Sequence, residues 1–220
     1  MSALISLLQS IDVSLSPRSI ALLDSYADLL RRYNARYNLV ARTDIEHVAT
    51  RHVAHCLALA TRVFSGGSVV VDWGTGGGLP LMPLAIIFAE VRFVGVDAVE
   101  KKTLAVRAMV RELGLVNVET WHGRAEVFRL PHAYSVSRAT APLSKLWGWH
   151  VRNAIDHAQH EGEWAPGLVC LKGGELGEEI REIAHAHPHT RVTVAPVGLP
   201  GYYFEGKHIV TVTAGEGTGA

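Results

Sequence analysis

Three glycines at alternate positions, Gly74, Gly76 and Gly78, follow Asp72 in the stretch VVVDWGTGGGLP (69–80). Glycine reaches backbone angles closed to other residues and lets a ligand approach the main chain. Val69, Val70 and Val71 read as a buried strand, and a helix is expected after the turn. Such a strand–turn–helix unit aims free backbone N–H groups and a helix N-terminus at the strand's mouth. Further on, VRFVGV (91–96) reads as a second strand, and it ends at Asp97. A carboxylate there can accept hydrogen bonds from both ribose hydroxyls. Turn and acid together point to a nucleoside, and away from a turn of purely structural use. The dinucleotide fingerprint needs glycine at the first, third and sixth positions. Counted from Gly74 the sixth is Leu79, and counted from Gly76 it is Leu81, so that fingerprint fails.

These residues need a scaffold that brings strand ends to one edge, and the rest of the chain supplies it. Ala3–Ile11 is a short apolar helix candidate, and Ser16-Pro17 is a helix start with a cap and a proline at the first position. Leu22, Leu23, Tyr26, Leu29, Leu30, Tyr33 and Tyr37 then form one apolar face of a helix running to about Asn38. Thr43-Asp44 is expected to cap a third helix to about Phe64, with Val48, Val53, Leu57 and Leu59 inward. After the glycine turn, helix and strand alternate: helix 80–89, strand 91–96, helix 99–114, strand 116–121. A fourth strand covers 133–137, with a helix after Pro142, and a fifth covers 168–171, with a helix at 175–187. Arg191–Val197 and His208–Thr213 alternate valine with polar residues, as a hairpin does. The acid-x-Gly-x-Gly-x-Gly spacing resembles motif I of the class I S-adenosylmethionine (SAM) methyltransferases. The expected fold is therefore α/β and Rossmann-like, a seven-stranded, mostly parallel sheet with a final antiparallel hairpin. Residues 1–65 form an N-terminal helical extension, 66–213 the methyltransferase domain, and 214–220 a disordered tail.

Composition agrees with a globular protein: 48% of the 220 residues are hydrophobic and 19% charged. Cys56 and Cys170 are far apart and read as buried thiols in a reducing compartment. Residues 1–10 lack the basic start of a signal peptide, and the longest apolar run, Leu79–Ala89, is too short to span a bilayer. A cytoplasmic location, with no membrane association, is the expectation. The net charge is zero, yet residues 90–152 hold ten Lys/Arg against six Asp/Glu. In a doubly wound fold the ligand sits at the carboxyl ends of the strands. That edge is expected to collect Arg124, Arg138, Lys172 and Lys207, with Lys101 and Lys102 just beyond Asp97. Singly each is an ordinary solvated cation; together they suit a polyanion.

Longer stretches carry a closer likeness. YNARYNL (33–39), TRHVAHC (50–56), VDWGTGGGLPLMPLAI (71–86), VGVDAVEKK (94–102), HGRAEVF (122–128), VSRATAPL (136–143), VCLKGG (169–174) and GKHIV (206–210) resemble the RsmG, or GidB, family. The likeness runs from about Leu22 to Val212. It implies transfer of a methyl group from SAM to nitrogen-7 of a guanine in the 530 loop of 16S ribosomal RNA. It further implies a cofactor pocket of Gly74, Gly76, Leu79, Asp97, Ala125, Glu126 and Arg138. Arg138, Arg124 and Lys172 would serve catalysis, and Lys101, Lys172 and Lys207 would hold RNA, probed as naked RNA or within the small subunit by a monomer. No metal is implied. Departures are Gly77 for the usual proline, Leu81 for a glycine, His55 for an aspartate and Cys56 for a serine. An aspartate usual at the start of the fourth strand is missing from HAYSVSRA, and Lys207 stands where arginine is common. These departures motivate one rival reading, a protein that senses SAM or a nucleotide without catalysis. A small-molecule methyltransferase fits the basic rim less well.

Weaker signals read plainly. His185, His187 and His189 are spaced by two on a proline-broken helix end, which does not put three imidazoles on one face. Trp147 and Trp149 are expected to pack a helix, whereas Tyr202 and Tyr203, close to Lys207, are better placed to stack on bases.

Overall fold

Apolar runs as continuous as those of 69–71 and 168–171 belong to strands covered on both faces. The computed structural model, which describes residues 1–41, 43–138 and 140–215, shows them so. Strands β1 (Val69–Trp73), β2 (Arg92–Asp97), β3 (Val118–His122), β4 (Tyr134–Arg138) and β5 (Gly167–Gly173) run parallel. The hairpin of β6 (Thr190–Pro196) and β7 (Lys207–Ala214) completes a seven-stranded sheet in the order β3-β2-β1-β4-β5-β7-β6. β7 is antiparallel to both of its neighbours, so its first residue, Lys207, lies opposite Gly173 at the carboxyl edge of the parallel strands. The order reverses between β1 and β4, the point where doubly wound sheets open a crevice. This is the expected α/β Rossmann-like architecture.

Two strand ends lie further along than the sequence reading had them. Arg138 is the last residue of β4, paired with Leu171, and Lys172 lies inside β5, paired with His208. Ladder hydrogen bonds to neighbouring strands prolong both elements past their apolar runs. β7 likewise includes Ala214, and the Gly215 amide donates to the His189 carbonyl (2.7 Å). The rest of the expected disordered tail, 216–220, lies outside the described residues.

Helices α4 (Leu81–Ile87) and α5 (Glu100–Leu113) cover one face, together with α1 (Ser2–Gln9) and α2 (Pro17–Tyr37). One apolar cluster runs from Leu4 and Leu23 through Leu81 to Phe93 and Val106, so the N-terminal helices share the core of that face. Helices α6 (Leu143–His150) and α7 (Gly177–Ala186) cover the other face around Trp73, Leu146 and Ile183. The start of α2 follows its signals: the Ser16 hydroxyl accepts from the Ser19 amide (3.0 Å), and Pro17 is the first helical residue. At its end Asn38 takes a left-handed conformation (φ 50°), and the Asn34 side chain accepts from the Val40 amide (2.8 Å). The two asparagines thus turn the chain sharply and lay Leu39 over the glycine turn, within reach of Gly77.

The expected third helix is the main departure. It is a relay of a 3₁₀ turn (Ile45–His47), a π-helical turn (Val48–Val53), a short α-helix α3 (Ala54–Leu57) and a second 3₁₀ turn (Ala58–Thr61). Residues 52–59 are buried without a break, so no wet face holds the segment to one helical period. Val48, Val53, Leu57 and Leu59 are inward as expected. Asp44 makes no helix cap; its carboxylate pairs with Arg51 instead (2.9 Å). Among the described residues, no helix is long and apolar enough to cross a membrane.

Candidate functional site

The glycine turn is shaped by positive φ angles at Gly74 (73°) and Gly78 (88°). A Cβ at Gly74 would fall on the Thr140 side chain, and one at Gly78 would meet Met82. Asp97 ties this turn to the end of β2. Its Oδ2 accepts from the Gly76 amide (2.9 Å) and its Oδ1 from the Val99 amide (2.8 Å). Each oxygen retains a further lone pair, the acceptor capacity that a ribose diol requires. From the other side the buried Tyr26 hydroxyl donates to the Gly77 and Gly78 carbonyls (3.0 and 3.1 Å). Leu30 and Leu39 press on Gly77, where a Cβ would come within 3.0 and 3.1 Å of them. Helix α2 therefore holds the turn in place.

Asp72, at the end of β1 beneath the turn, is fully buried, and neither oxygen has a well-formed hydrogen bond. Burial pushes its carboxyl up to about 7, and the nearby Thr75 hydroxyl and Leu81 amide oppose this only in part.

Above the turn opens a cleft of about 550 Å³, in the range of small-ligand pockets. One wall is Gly74 to Gly77, Leu79 and Asp97; the floor is Gly123 to Glu126; the far wall is Arg138, Thr140, Ala141, Lys145 and Trp149. Every expected cofactor residue lines it: Gly74, Gly76, Leu79, Asp97, Ala125, Glu126 and Arg138. Arg124 lines it too. Lys101 does not; it is exposed on the first turn of α5, and its neighbour Lys102 faces the cleft. Glu126 lies below the usual carboxylate range, first through a backbone hydrogen bond and then through Lys145, 3.5 Å away. Trp149 packs on Trp73 in the core (5.9 Å between rings) and also closes the cleft wall. A bare main chain, a diol acceptor and an aromatic wall suit a nucleoside-bearing cofactor.

Beyond Arg138 lies a second group of charges. Arg138 Nη1 donates to His52 Nδ1 (2.8 Å), and His52 Nε2 stands 3.8 Å from Asp44. Lys207 Nζ sits 3.0 Å from the centre of the Tyr203 ring, with the Arg51 guanidinium 5.2 Å from the same ring. Burial, and then repulsion from Arg138, lowers Lys207 to about 8. The same two causes lower His52 to about 4 and His55 to about 3, so both imidazoles are neutral near pH 7. His55 is buried edge-on against Phe204. Tyr203 is engaged by cations, which leaves Tyr202, 89% exposed, as the free ring of that loop.

Lys172 corrects an expectation. It was read as a rim cation for RNA and catalysis, yet only 8% of its surface is exposed. Its ammonium donates to Glu179 (2.7 Å) and to the Ala141 carbonyl (2.6 Å), and Glu179 also accepts from the Leu143 amide (3.0 Å). The extended β5 carries it under the start of α6, where it supports the far wall of the cleft. Sequence reasoning missed Tyr26, Arg51, His52, Thr140 and Lys145. Arg51 and His52 were in view within TRHVAHC, but no spacing rule tied them to Arg138. His185, His187 and His189 converge on nothing, and no group of three His, Cys, Asp or Glu among the described residues is placed to hold a metal.

Comparison with known proteins fits this geometry. The family model described as "GidB: rRNA small subunit methyltransferase G" matches residues 19–194. The ribosomal RNA small subunit methyltransferase G of Salinibacter ruber is 48% identical over 195 residues, 86% of this chain and 90% of that protein. Its namesake in Chlorobaculum tepidum is 38% identical over 205 residues, covering 90% and 91%. Among solved structures, MtNAS in complex with MTA and tNA superposes with a TM-score of 0.57 at 16% identity, over 88% of this chain and 70% of that one, a likeness of fold alone. With the glycine turn, Asp97 and the basic far wall on one sheet edge, this chain belongs to the GidB family of rRNA small subunit methyltransferases.

Proposed function

We propose that the protein methylates nitrogen-7 of a guanine in the 530 loop of 16S ribosomal RNA, using SAM. The observation that carries this reading is the position of Arg138, between the Asp97-anchored glycine turn and the Arg51–Lys207 group. Gly74, Gly76, Leu79 and Asp97 would hold the adenosine and methionine parts, with Ala125 and Glu126 beside the base. Bound SAM supplies a sulfonium methyl, which passes to guanine nitrogen-7 and leaves the bonding pair on sulfur.

Guanine nitrogen-7 is an acceptor without a proton, so no general base is required. The residues of the cleft accordingly include no Ser-His-Asp or Cys-His arrangement, and their work is alignment. Holding two reactants in place contributes roughly 7–11 kcal/mol, about five to eight factors of ten in rate. Arg138 and Arg124 would orient the guanine, while Lys207 and Arg51 would meet phosphate. Lys101, exposed on α5, would meet RNA outside the cleft, while its neighbour Lys102 lines the cleft itself. A monomer is sufficient, since one chain supplies all the cleft walls. Small ribosomal subunits in the cytoplasm are the expected substrate.

The test is incubation with labelled SAM and small subunits lacking the modification. One 7-methylguanosine per subunit is expected, located by borohydride and aniline cleavage within the 530 loop. An unmodified loop in the presence of bound SAM favours the sensor reading.

A further inference from the structure

We propose that His52 is the positioning residue of Arg138, fixing the plane of its guanidinium toward the cleft through Nδ1. The inference rests on the reading of Arg138 as a ligand contact. The contact is short, 2.8 Å, and joins the end of β4 to the π-helical turn Val48–Val53. π-helical turns recur at functional sites because the wider turn re-aims side chains. Here it sends neighbouring residues to different partners: Arg51 pairs with Asp44 at 2.9 Å, and His52 accepts from Arg138.

Accepting at Nδ1 requires the proton to be on Nε2, so the imidazole is the neutral tautomer. The surroundings keep it neutral: it is 6% exposed, with Arg138, Lys207 and Arg51 around it and one carboxylate, Asp44, at 3.8 Å. Tyr203 closes the pocket edge-on, and His55 beside it is neutral as well. The choice of a neutral acceptor has a consequence. A carboxylate in this position would orient Arg138 but cancel its charge. An imidazole orders the guanidinium and leaves the full charge, and the remaining N–H donors, for cofactor and RNA.

The test compares His52→Leu, His52→Asn, Arg138→Ala and the double variant His52→Leu/Arg138→Ala. Rates are measured with labelled SAM and unmodified small subunits, alongside SAM affinity and melting temperature. Asparagine can place its Oδ1 where Nδ1 was, and leucine cannot. Misalignment at this scale lowers rates by roughly 10- to 100-fold, and His52→Leu should fall in that range while His52→Asn recovers most of the loss. The double variant should be no slower than Arg138→Ala, since one residue acts through the other. Equal losses for leucine and asparagine, or additive losses in the double variant, overturn the proposal and make His52 a packing residue. If His52→Leu folds poorly, His52→Asn against His52→Gln replaces it; glutamine activity equal to that of asparagine is then the overturning result. Wild-type behaviour of Arg138→Ala would refute the reading of Arg138 itself, a different outcome from an active His52→Leu beside an impaired Arg138→Ala.

Discussion

At the scale of single residues, one carboxylate, Asp97, bonds two amides and is proposed to meet the ribose as well. It holds the Gly76 and Val99 amides and keeps lone pairs for a diol. Asp97→Ala should therefore weaken SAM binding by about 1–3 kcal/mol, the usual loss for a charged acceptor. Calorimetry checks this, and unchanged affinity would remove the ribose role. Lys207 yields a second expectation. With its ammonium lowered to about 8, it is charged at pH 7 and increasingly neutral by pH 9. RNA affinity should fall across that window, and Lys207→Arg should abolish the fall because guanidinium stays charged. Titration of an RNA fragment at pH 7, 8 and 9 decides; parallel declines in both proteins would show that another group titrates. The edge positions of both residues were legible from the sequence, since one ends and the other opens an apolar strand and the fold rule assigns that edge. Lys172 lies on that edge by the same rule, but its side chain turns inward to Glu179, because the rule locates the backbone and not the side chain's partner.

At the scale of elements, Lys172 joins β5, α7 and the entry to α6 through Glu179 and Ala141. Lys172→Ala should then cost stability, on the order of 1–3 kcal/mol for leaving Glu179 without its partner. The slope of log RNA affinity against log salt should not change, since no phosphate contact is lost. A slope flattened by about 0.7–0.9 would return Lys172 to the RNA surface. Helix α2 supports the glycine turn in a comparable way through Tyr26. Tyr26→Phe keeps the ring and removes its donor from the Gly77 and Gly78 carbonyls. A loss of roughly 0.5–1.5 kcal/mol in melting experiments is expected, with weaker SAM binding. Intact SAM affinity would mean that the turn holds its shape unaided.

For the whole molecule, stability should carry the mark of Asp72. A carboxyl raised to about 7 in the fold, against roughly 3.9 in the unfolded chain, favours the folded state when protonated. Its contribution is complete below about pH 4 and is lost as pH rises through about 7. Asp72→Asn should lose less stability than the wild type between pH 4 and 7.5. Melting curves that shift in parallel would show that the carboxylate is compensated where it sits. The sequence alone determined the sheet, the glycine turn, Asp97 and the family likeness, because these depend on short-range patterns: alternating burial, glycine spacing and the residue ending each strand. Only the tertiary structure decided that Lys172 faces inward, that Tyr26 props the turn and that His52 grips Arg138. Those contacts join residues 51 to 86 positions apart, or a side chain to the partner it finds once buried, as Lys172 finds Glu179. The relay of helical turns at 45–61 belongs with them, since its central stretch, 52–59, is buried without a break and has no wet face to impose one period, so its pitch is set by what packs against it.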